Sequence, residues 1–142
     1  MKILIIGGGY VGHRCADAWD DAVLETGRIN SKEDVLKLLD EHKPHAVLNA
    51  AGVRGKPNVD WCEDHQLETI VGNTKLPITI AEACQERDVY LLHIGSGCIF
   101  YGDSPHEDKR WREEDMGNPT EVTYSRTKWA ADLVLSTLPN VG

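Results

Sequence analysis

A short apolar run followed directly by clustered glycines restricts the possible fold of this chain more than any other feature. Residues 3–6 read Ile-Leu-Ile-Ile, which predicts a buried parallel strand. The pattern Gly7-x-Gly9-x-x-Gly12 follows, and residues 11–19 are typical of a helix. A strand, a glycine turn and a helix in this order predict the first unit of an α/β domain.

Strand and helix signals continue to alternate along the chain. Ser31 and Asp34 resemble a capping box, and the helix that they open is expected to end at the Lys43-Pro44 pair. Further strands are expected at residues 22–25, 46–52 and 89–94, and further helices at residues 31–43, 61–87 and 123–138. This alternation predicts a Rossmann-like, doubly wound parallel sheet in three layers, α/β/α.

Two segments interrupt the regular pattern. Gly72 and Pro77 predict irregularity within the long helical stretch. The polar residues 101–121 predict a long surface loop. Its charged run at residues 107–115 is best explained as a solvated face, with a substrate lid as the less favoured alternative.

Size and composition limit the classes of function. The 142 residues suffice for one domain with its own core. A net charge of −8 argues against nucleic acid or an anionic membrane as a partner, and no apolar run approaches membrane-spanning length. The four cysteines show no C-x-x-C spacing, so we expect reduced thiols in a cytoplasmic protein. The six histidines are scattered, and no metal site is expected.

The glycine turn has the spacing that dinucleotide binding requires. One glycine makes a tight turn, one lets the backbone approach a pyrophosphate, and one lets helix pack on strand; these are Gly7, Gly9 and Gly12. The first helical residues, Tyr10 and Val11, offer free backbone N–H groups to phosphate. A glycine turn without a ligand is the competing interpretation, and the strand-turn-helix context makes it the weaker one.

Small residues after a later strand predict a second cofactor contact. Asn49, Ala50, Ala51 and Gly52 leave room for a flat cofactor at the sheet edge where ligands bind. Taken alone, this segment would be an ordinary tight turn, so the interpretation depends on the upstream glycines. Asn73, within the long helical stretch, either braces the site or occupies a solvated helix position.

Residues near the second strand bear on the choice between NAD(H) and NADP(H). The acid at the strand end, Glu25, would bind a ribose hydroxyl and favour NAD(H). His13, Arg14 and Arg28 could instead receive a 2′-phosphate, although a single arginine is more often a surface charge. We expect NADP(H) in preference to NAD(H), with Arg28 among the cofactor-binding residues.

A Tyr-x-x-x-Lys pair late in the chain predicts proton-transfer chemistry. Tyr124 and Lys128 are four residues apart, so a helix places them on one face. A nearby ammonium and an oxidised nicotinamide stabilise a phenolate, so a tyrosine can protonate a carbonyl oxygen while hydride reaches its carbon. Lys128 would also hold the nicotinamide ribose. Ser96, at a strand end, would stabilise the developing charge on the substrate oxygen.

Cys98 follows Ser96 by two residues and has two interpretations. A free cysteine is usually a small buried apolar residue. At the pocket rim, its thiolate could instead remove a proton from a carbon next to a ketone. The tyrosine and serine that serve reduction would then stabilise the enolate, so one site could both epimerise and reduce.

These motifs resemble the extended short-chain dehydrogenase/reductase superfamily. The block from Asn49, Asn-Ala-Ala-Gly-Val-Arg-Gly-Lys-Pro-Asn-Val-Asp-Trp-Cys-Glu, is similar to the bifunctional 3,5-epimerase/4-reductases of nucleotide-rhamnose synthesis. Gly-Cys-Ile-Phe at residues 97–100 and Glu-Glu-Asp at residues 113–115 match the same group. The similarity covers nearly the whole chain and is most specific over residues 44–100.

The resemblance implies NADPH-dependent conversion of a UDP- or dTDP-4-keto-6-deoxyglucose to the rhamnose nucleotide. It implies a reductase role for Ser96, Tyr124 and Lys128, and an epimerase acid/base role for Cys98. Two alternatives stay open: a 4-keto-sugar reductase without epimerase activity, and a noncatalytic NAD(P)-binding module. The sequence does not distinguish UDP from dTDP, and it leaves open whether the long helices pair in a homodimer.

Two departures from that group affect what we expect of the chain. The glycine turn is one residue shorter than the Gly-x-x-Gly-x-x-Gly usual in the extended group. The remaining strands, the sugar-nucleotide-binding portion and the second epimerase acid/base are expected after Gly142, and residues 140–141 resemble the start of a strand. We therefore expect residues 1–142 to be the N-terminal part of a longer enzyme, which alone binds cofactor weakly and does not turn over sugar.

Overall fold

The computed structural model describes all 142 residues and contains one parallel sheet of four strands. The strands are β1 (Ile3–Ile6), β2 (Ala22–Glu25), β3 (Ala46–Asn49) and β4 (Tyr90–His93). Their order across the sheet is β2-β1-β3-β4. Because β2 and β3 lie on opposite sides of β1, the strand order reverses between β1 and β3. Open α/β sheets bind ligands at the carboxyl ends of strands at such a point.

Helices and two short helical turns connect the strands. The helices are α1 (Tyr10–Ala18), α2 (Lys32–His42), α3 (Trp61–Asp64), α4 (Gln66–Ile70), α5 (Leu76–Glu86) and α6 (Thr123–Leu135). A π-helical turn, Val71–Lys75, joins α4 to α5, and a 3-10 turn, Gly97–Ile99, follows β4. None of the helices combines the length and the hydropathy that crossing a bilayer requires.

The main core lies between the sheet and the helices α2 and α5. Leu4, Val47 and Leu91 are aligned in register across β1, β3 and β4 and are fully buried. They form one cluster with Val35 of α2 and Ile80 of α5, which are also fully buried. This apolar layer holds the three strands side by side, so their carboxyl ends meet at one edge.

The strand and helix pattern expected from the sequence is confirmed in most of the chain, and so is the Rossmann-like fold. The capping box at the start of α2 is also present. Ser31 Oγ accepts the Asp34 N–H at 3.2 Å, and the Asp34 carboxylate accepts the Ser31 N–H at 3.1 Å. The pKa of Asp34 is lowered, first because the Asn30 backbone N–H also donates to this carboxylate.

The helical segment expected over residues 61–87 is present as α3, α4, the π-helical turn and α5, with one further break at His65. His65 separates α3 from α4 with φ −129° and ψ 46°, which lie outside the helical region. The π-helical turn contains Gly72, one of the two positions where irregularity was expected. Pro77, the other such position, is the second residue of α5, so its missing N–H falls where the π-helical turn passes into α-helix.

The last helix also ends earlier than residue 138. The Ser136 hydroxyl donates to the Leu133 carbonyl at 3.1 Å, and Thr137 donates to Val134 at 2.8 Å. These local bonds compete with helix continuation. The chain then returns to the sheet, where Val141 forms a parallel bridge with Leu91 of β4.

Residues 101–121 form a loop without regular structure, but the loop is internally ordered. Trp111 stacks on Phe100 with ring centroids 4.9 Å apart, and His106 Nε2 lies 2.8 Å from the Asp115 carboxylate. Ser104 is buried. The charged side chains at 107–110 and 112–114 are exposed, as expected, so the loop combines a solvated face with a packed interior side.

Candidate active site

The glycine turn connects β1 to α1 beside the end of β3. Gly7 has a φ of 122°, and a Cβ at this position would lie 2.5 Å from the Ala51 backbone nitrogen. A Cβ on Gly12 would overlap the Gly7 carbonyl oxygen. A Cβ on Gly9, in contrast, would have no heavy atom within 4 Å. Two of the glycines therefore permit close packing, and the third borders open space.

The first turn of α1 faces this open space without a partner of its own. No side chain caps the helix at Gly9, and the first turn contains no acidic residue. Tyr10 and Val11 are both exposed and line the adjoining cleft. Free backbone N–H groups at the start of a nine-residue helix are chemically suited to an anion such as phosphate.

Two clefts run along the carboxyl edge of the sheet and share Ala51, Gly52 and Val53. The cleft on the β2 side has a volume of about 870 Å³, and Gly7 and Arg28 are among its lining residues. The cleft on the β4 side has a volume of about 750 Å³ and is lined in part by Gly9, Tyr124 and Lys128. Together they form a trough across the reversal point. A trough of this length with unpaired helix N–H groups at its centre has the shape and the donors that a dinucleotide requires.

Residues after β2 contribute to the first cleft. The Glu25 carboxylate accepts the backbone N–H of Gly27, so this acid is engaged within its own turn. Arg28 is exposed and lines the cleft wall. His13 and Arg14 are exposed on α1 and are not among the residues lining either cleft. The cation that the structure places in the trough on this side is Arg28.

The small-residue turn after β3 separates into two layers. Ala50, Ala51 and Gly52 line the trough, as expected of cofactor contacts. Asn49 is fully buried beneath them, and its Oδ1 accepts the Ala51 N–H at 3.1 Å. Asn49 thus shapes the turn from below, and it is not among the residues that line the trough.

Asn73 is fully buried, so the interpretation as a solvated helix position was wrong. Its Oδ1 accepts the Val53 N–H at 2.6 Å, and its Nδ2 donates to the Val53 carbonyl at 2.8 Å. Nδ2 also lies 3.3 Å from Thr127 Oγ1, which donates to the Tyr124 carbonyl at 2.8 Å. The π-helical turn therefore braces both the trough floor and the helix that contains Tyr124.

Tyr124 and Lys128 line the same cleft, one turn apart on α6. Tyr124 is half-buried, whereas Lys128 is only 5% exposed. The Lys128 ammonium group is costly to bury, so burial lowers its pKa, and the carboxylate of Asp132 opposes that shift. Its Nζ lies 2.6 Å from the Ile94 carbonyl and 3.3 Å from His93 Nε2.

Ser96 and Cys98 follow β4 at the 3-10 turn. Ser96 Oγ accepts the Cys98 backbone N–H at 3.2 Å, which leaves the serine hydroxyl proton free to donate. Cys98 is exposed, so its interpretation as a small buried apolar residue was wrong. Neither residue is among those lining the cleft that contains Tyr124 and Lys128.

Glu63 is a site residue that the sequence reasoning missed. Val122 precedes α6 and provides no side-chain cap. The Glu63 carboxylate instead accepts both the Thr123 N–H at 2.7 Å and the Thr123 hydroxyl at 2.8 Å. This contact fixes the start of α6 immediately before Tyr124. No local pattern could have revealed it, because the partners are sixty residues apart.

The fold, the glycine turn and the Tyr124–Lys128 pair in one trough define the chain as a member of the extended short-chain dehydrogenase/reductase superfamily. Within that class, the chain belongs to the family described as the RmlD substrate-binding domain, whose model matches residues 1–141.

Two of the similar proteins are plant enzymes whose names state an activity on sugar nucleotides. The chain is 37% identical over 137 residues to the bifunctional dTDP-4-dehydrorhamnose 3,5-epimerase/dTDP-4-dehydrorhamnose reductase of Arabidopsis thaliana. That match covers 94% of this chain and 46% of the relative. A trifunctional UDP-glucose 4,6-dehydratase/3,5-epimerase/reductase of the same plant is 36% identical, with 99% of this chain and 22% of the relative covered. The chain therefore spans less than half the length of these relatives.

Solved structures agree with the fold. The L780 UDP-rhamnose synthase from Acanthamoeba polyphaga mimivirus superposes with a TM-score of 0.86 at 26% identity, covering 99% of this chain and 54% of that chain. The dTDP-4-dehydrorhamnose reductase of Bacillus anthracis, solved in complex with NADP, gives a TM-score of 0.82 at 20% identity, covering 99% and 52%. The second likeness supports the fold alone.

Proposed function

We propose that this chain supplies the cofactor-binding and reducing residues of an NADPH-dependent nucleotide-sugar 4-keto reductase that also epimerises its substrate at C3 and C5. The observation on which the proposal rests is that Tyr124 and Lys128 share one trough with the phosphate-binding turn at Gly9. The named activities of the relatives suggest the substrate class, a UDP- or dTDP-linked 4-keto-6-deoxyglucose.

Reduction requires a hydride at the keto carbon and a proton at its oxygen. A bound nicotinamide supplies the hydride. Tyr124, half-buried in the trough, donates the proton to the carbonyl oxygen. The free hydroxyl proton of Ser96 hydrogen-bonds the same oxygen and stabilises its developing negative charge. Lys128 in its ammonium form stabilises the tyrosinate that the transfer leaves.

Epimerisation requires a base at the carbons that flank the ketone. Cys98 is exposed next to Ser96, so its thiolate can accept a proton from such a carbon. The electrons of the broken C–H bond move into the carbonyl, and the serine and tyrosine stabilise the resulting enolate. A second acid then returns a proton to the opposite face of that carbon.

NADP(H) is the proposed cofactor because the first cleft contains a cation at Arg28, whereas the acid at Glu25 is not among the residues that line it. An arginine binds the 2′-phosphate that distinguishes NADP(H), whereas a free acid would bind the ribose hydroxyl of NAD(H). Fluorescence titration of the chain with NADPH and NADH tests this preference. Arg28→Ala is expected to weaken NADPH binding and leave NADH binding unchanged, with Arg14→Ala as the matched control. Equal losses for both cofactors would reject the assignment.

The activity is tested with the product of the complete reading frame, UDP-4-keto-6-deoxyglucose and NADPH in heavy water. NADPH absorbance and deuterium incorporation into the sugar are followed together. NADPH consumption with deuterium at the carbons flanking the ketone is the expected result. If neither signal appears with the UDP or the dTDP sugar, the proposed activity is wrong.

A reductase without epimerase activity is the second candidate. It is favoured by one observation: Cys98, which only the epimerisation step needs, is not among the residues lining the cleft that contains Tyr124. The variant Cys98→Ser separates the candidates, with Cys15→Ser as the control for loss of a thiol elsewhere. Loss of deuterium incorporation with reduction retained supports the bifunctional enzyme. NADPH consumption without deuterium incorporation in the unmodified protein supports the plain reductase.

The sequence left open whether the chain forms a homodimer. Ile70 of α4 and Leu133 and Val134 of α6 are apolar side chains exposed to solvent. A second copy of the chain that covered them would form the homodimer left open by the sequence. Sedimentation velocity over a range of concentrations distinguishes monomer from dimer.

A further inference from the structure

Polar groups form a continuous line beneath the trough, from the Ala51 backbone to the Ile94 backbone. The Ala51 N–H lies 3.1 Å from Asn49 Oδ1, and Asn49 Nδ2 lies 3.0 Å from His93 Nδ1. His93 Nε2 lies 3.3 Å from Lys128 Nζ, which lies 2.6 Å from the Ile94 carbonyl oxygen. The three side chains in this line are all buried, so their hydrogen bonds depend on one another.

The first contact in the line determines the orientation of the Asn49 amide. A backbone N–H can only donate, so the atom facing Ala51 is the Asn49 carbonyl oxygen. The Asn49 NH₂ group therefore faces His93 and donates to Nδ1. A neutral imidazole that accepts at Nδ1 bears its proton on Nε2. The His93 N–H consequently faces Lys128.

The ammonium and amine forms of Lys128 differ in how they meet the His93 N–H. An ammonium group has three N–H donors and no acceptor, so it meets the His93 N–H as donor against donor. An amine has a lone pair, which accepts that N–H, and its own N–H still donates to the Ile94 carbonyl.

We propose that, without cofactor or substrate, each group in this line donates a hydrogen bond to the next, from Ala51 to Ile94. This arrangement holds Lys128 as a neutral amine. His93 is then a positioning residue that sets the protonation state of the lysine. It is not a proton relay, because the Asn49 amide already occupies Nδ1, the nitrogen through which a second proton would pass.

Other charged groups lie around Lys128. The carboxylate of Asp132, on the next turn of α6, favours the ammonium and acts against the proposed effect of His93. Burial raises the pKa of Asp132, and Lys128 opposes that shift. Arg54 and Lys56 line the same cleft and are exposed cations. The neighbouring phenol, Tyr124, is uncharged when protonated.

His93 is itself neutral under these conditions. Burial is the main cause that lowers the pKa of His93, and an ammonium at Lys128 would lower it further, so His93 is neutral whichever form Lys128 takes. Its 3.9 Å approach to the Asp132 carboxylate is therefore not an ion pair at neutral pH. A neutral imidazole has one N–H, and the Asn49 contact decides which nitrogen bears it.

The line connects the cofactor trough to the catalytic lysine. Ala51 borders the trough, and the proposed reduction uses Lys128 as an ammonium. Moving Lys128 away from His93 would break the line and favour proton uptake by the amine. The neutral Lys128 belongs to the chain without cofactor or substrate. It can therefore be tested in their absence and independently of the proposed activity.

Nitrogen NMR of the ¹⁵N-labelled chain tests the proposal directly. The His93 Nδ1 signal is expected in the range of an unprotonated ring nitrogen, and Nε2 in the range of a protonated one. The Lys128 side-chain nitrogen is expected to give the signal of an amine at neutral pH. A His93 proton on Nδ1, or an ammonium signal from Lys128 at neutral pH, would overturn the proposal.

The variant Asn49→Asp should reverse the direction in which His93 donates its hydrogen bond. A carboxylate accepts at both oxygens, so the His93 proton moves to Nδ1, Nε2 becomes an acceptor and Lys128 is stabilised as the ammonium. We expect the tautomer to switch and the Lys128 titration to shift upward. Asp132→Asn is the matched control, which changes charge near Lys128 but should leave the tautomer unchanged. An unchanged tautomer in Asn49→Asp would contradict the proposal, and if that variant does not fold, the tautomer of the unmodified chain decides.

Discussion

The two ends of the trough are built in different ways. At the β1 end, the turn from Gly7 to Gly12 forms its site from the backbone of one stretch of chain, and Gly7 also packs against Ala51, which is distant in sequence. At the β4 end, Tyr124 and Lys128 depend on side chains from elsewhere: Asn73 braces their helix, and His93 contacts the lysine. The first end is formed mainly by residues that are close in sequence, and the second depends on polar contacts between residues that are distant in sequence.

This difference shows where each end is vulnerable. The turn tolerates no added atom at positions where two backbone segments touch, because neither can move away. The α6 end tolerates changes in volume better but depends on buried polar partners, which are costly to leave unpaired. Substitutions at the two ends should therefore differ in kind as well as in size.

The largest effect is expected at the turn. Gly7→Ala places a Cβ 2.5 Å from the Ala51 nitrogen at a φ of 122°, so we expect at least about 3 kcal/mol of destabilisation. Gly9→Ala meets no heavy atom within 4 Å, so its stability should change by less than about 1 kcal/mol while NADPH binding weakens. Urea unfolding and cofactor fluorescence measure the two properties. Equal stability of the two variants would contradict this account of the turn.

The next effect concerns His93 and acid. Burial lowers its pKa from 6.5 to about 4, so between these values the unfolded chain binds more protons than the folded chain. Stability should therefore fall as pH drops from about 6.5 to about 4, by roughly 3 kcal/mol at most. Urea unfolding at several pH values measures the loss. His93→Gln should show a smaller loss, and an identical pH dependence in both proteins would refute this role.

Asn73→Ala tests the brace beneath Tyr124. The substitution leaves the Val53 N–H and carbonyl without their side-chain partner, so we expect about 2 kcal/mol of destabilisation. Asn58→Ala, at an exposed loop position, is the control and should cost less than about 1 kcal/mol. Chemical denaturation compares the two variants. A loss at Asn73 no larger than at Asn58 would show that the brace contributes little.

The smallest effect is expected at Glu63, which is exposed. Glu63→Gln removes the charge that complements the start of α6 and one of two good acceptors, so we expect about 1 kcal/mol of local destabilisation. Hydrogen exchange of the first turn of α6 should accelerate. Asp64→Asn removes a neighbouring charge that makes no contact with Thr123 and serves as the control. If the exchange rates of Glu63→Gln did not change, the start of α6 would not depend on the contact between Glu63 and Thr123.

The residues of the trough illustrate how far sequence reasoning reached. Gly7, Gly9 and Gly12 were identified because a backbone turn of this kind constrains residue type at fixed spacing. Tyr124 and Lys128 were paired because helical spacing alone places them one turn apart. The break at His65 and the early end of α6 were missed, because each depends on a local competition that composition does not reveal.

Sequence alone determined the alternation of strands and helices, the position of the glycine turn and the helical pairing of Tyr124 with Lys128, because each follows from contacts between residues close in the chain. Only the tertiary structure decided that Asn49 lies under the turn, that His93 contacts Lys128 and that Glu63 holds the start of α6. These contacts join residues 35 to 60 positions apart, and they form only after the apolar core has aligned the sheet. Periodicity and spacing report local geometry, and they contain no information about which distant polar groups the packed core brings within hydrogen-bonding distance.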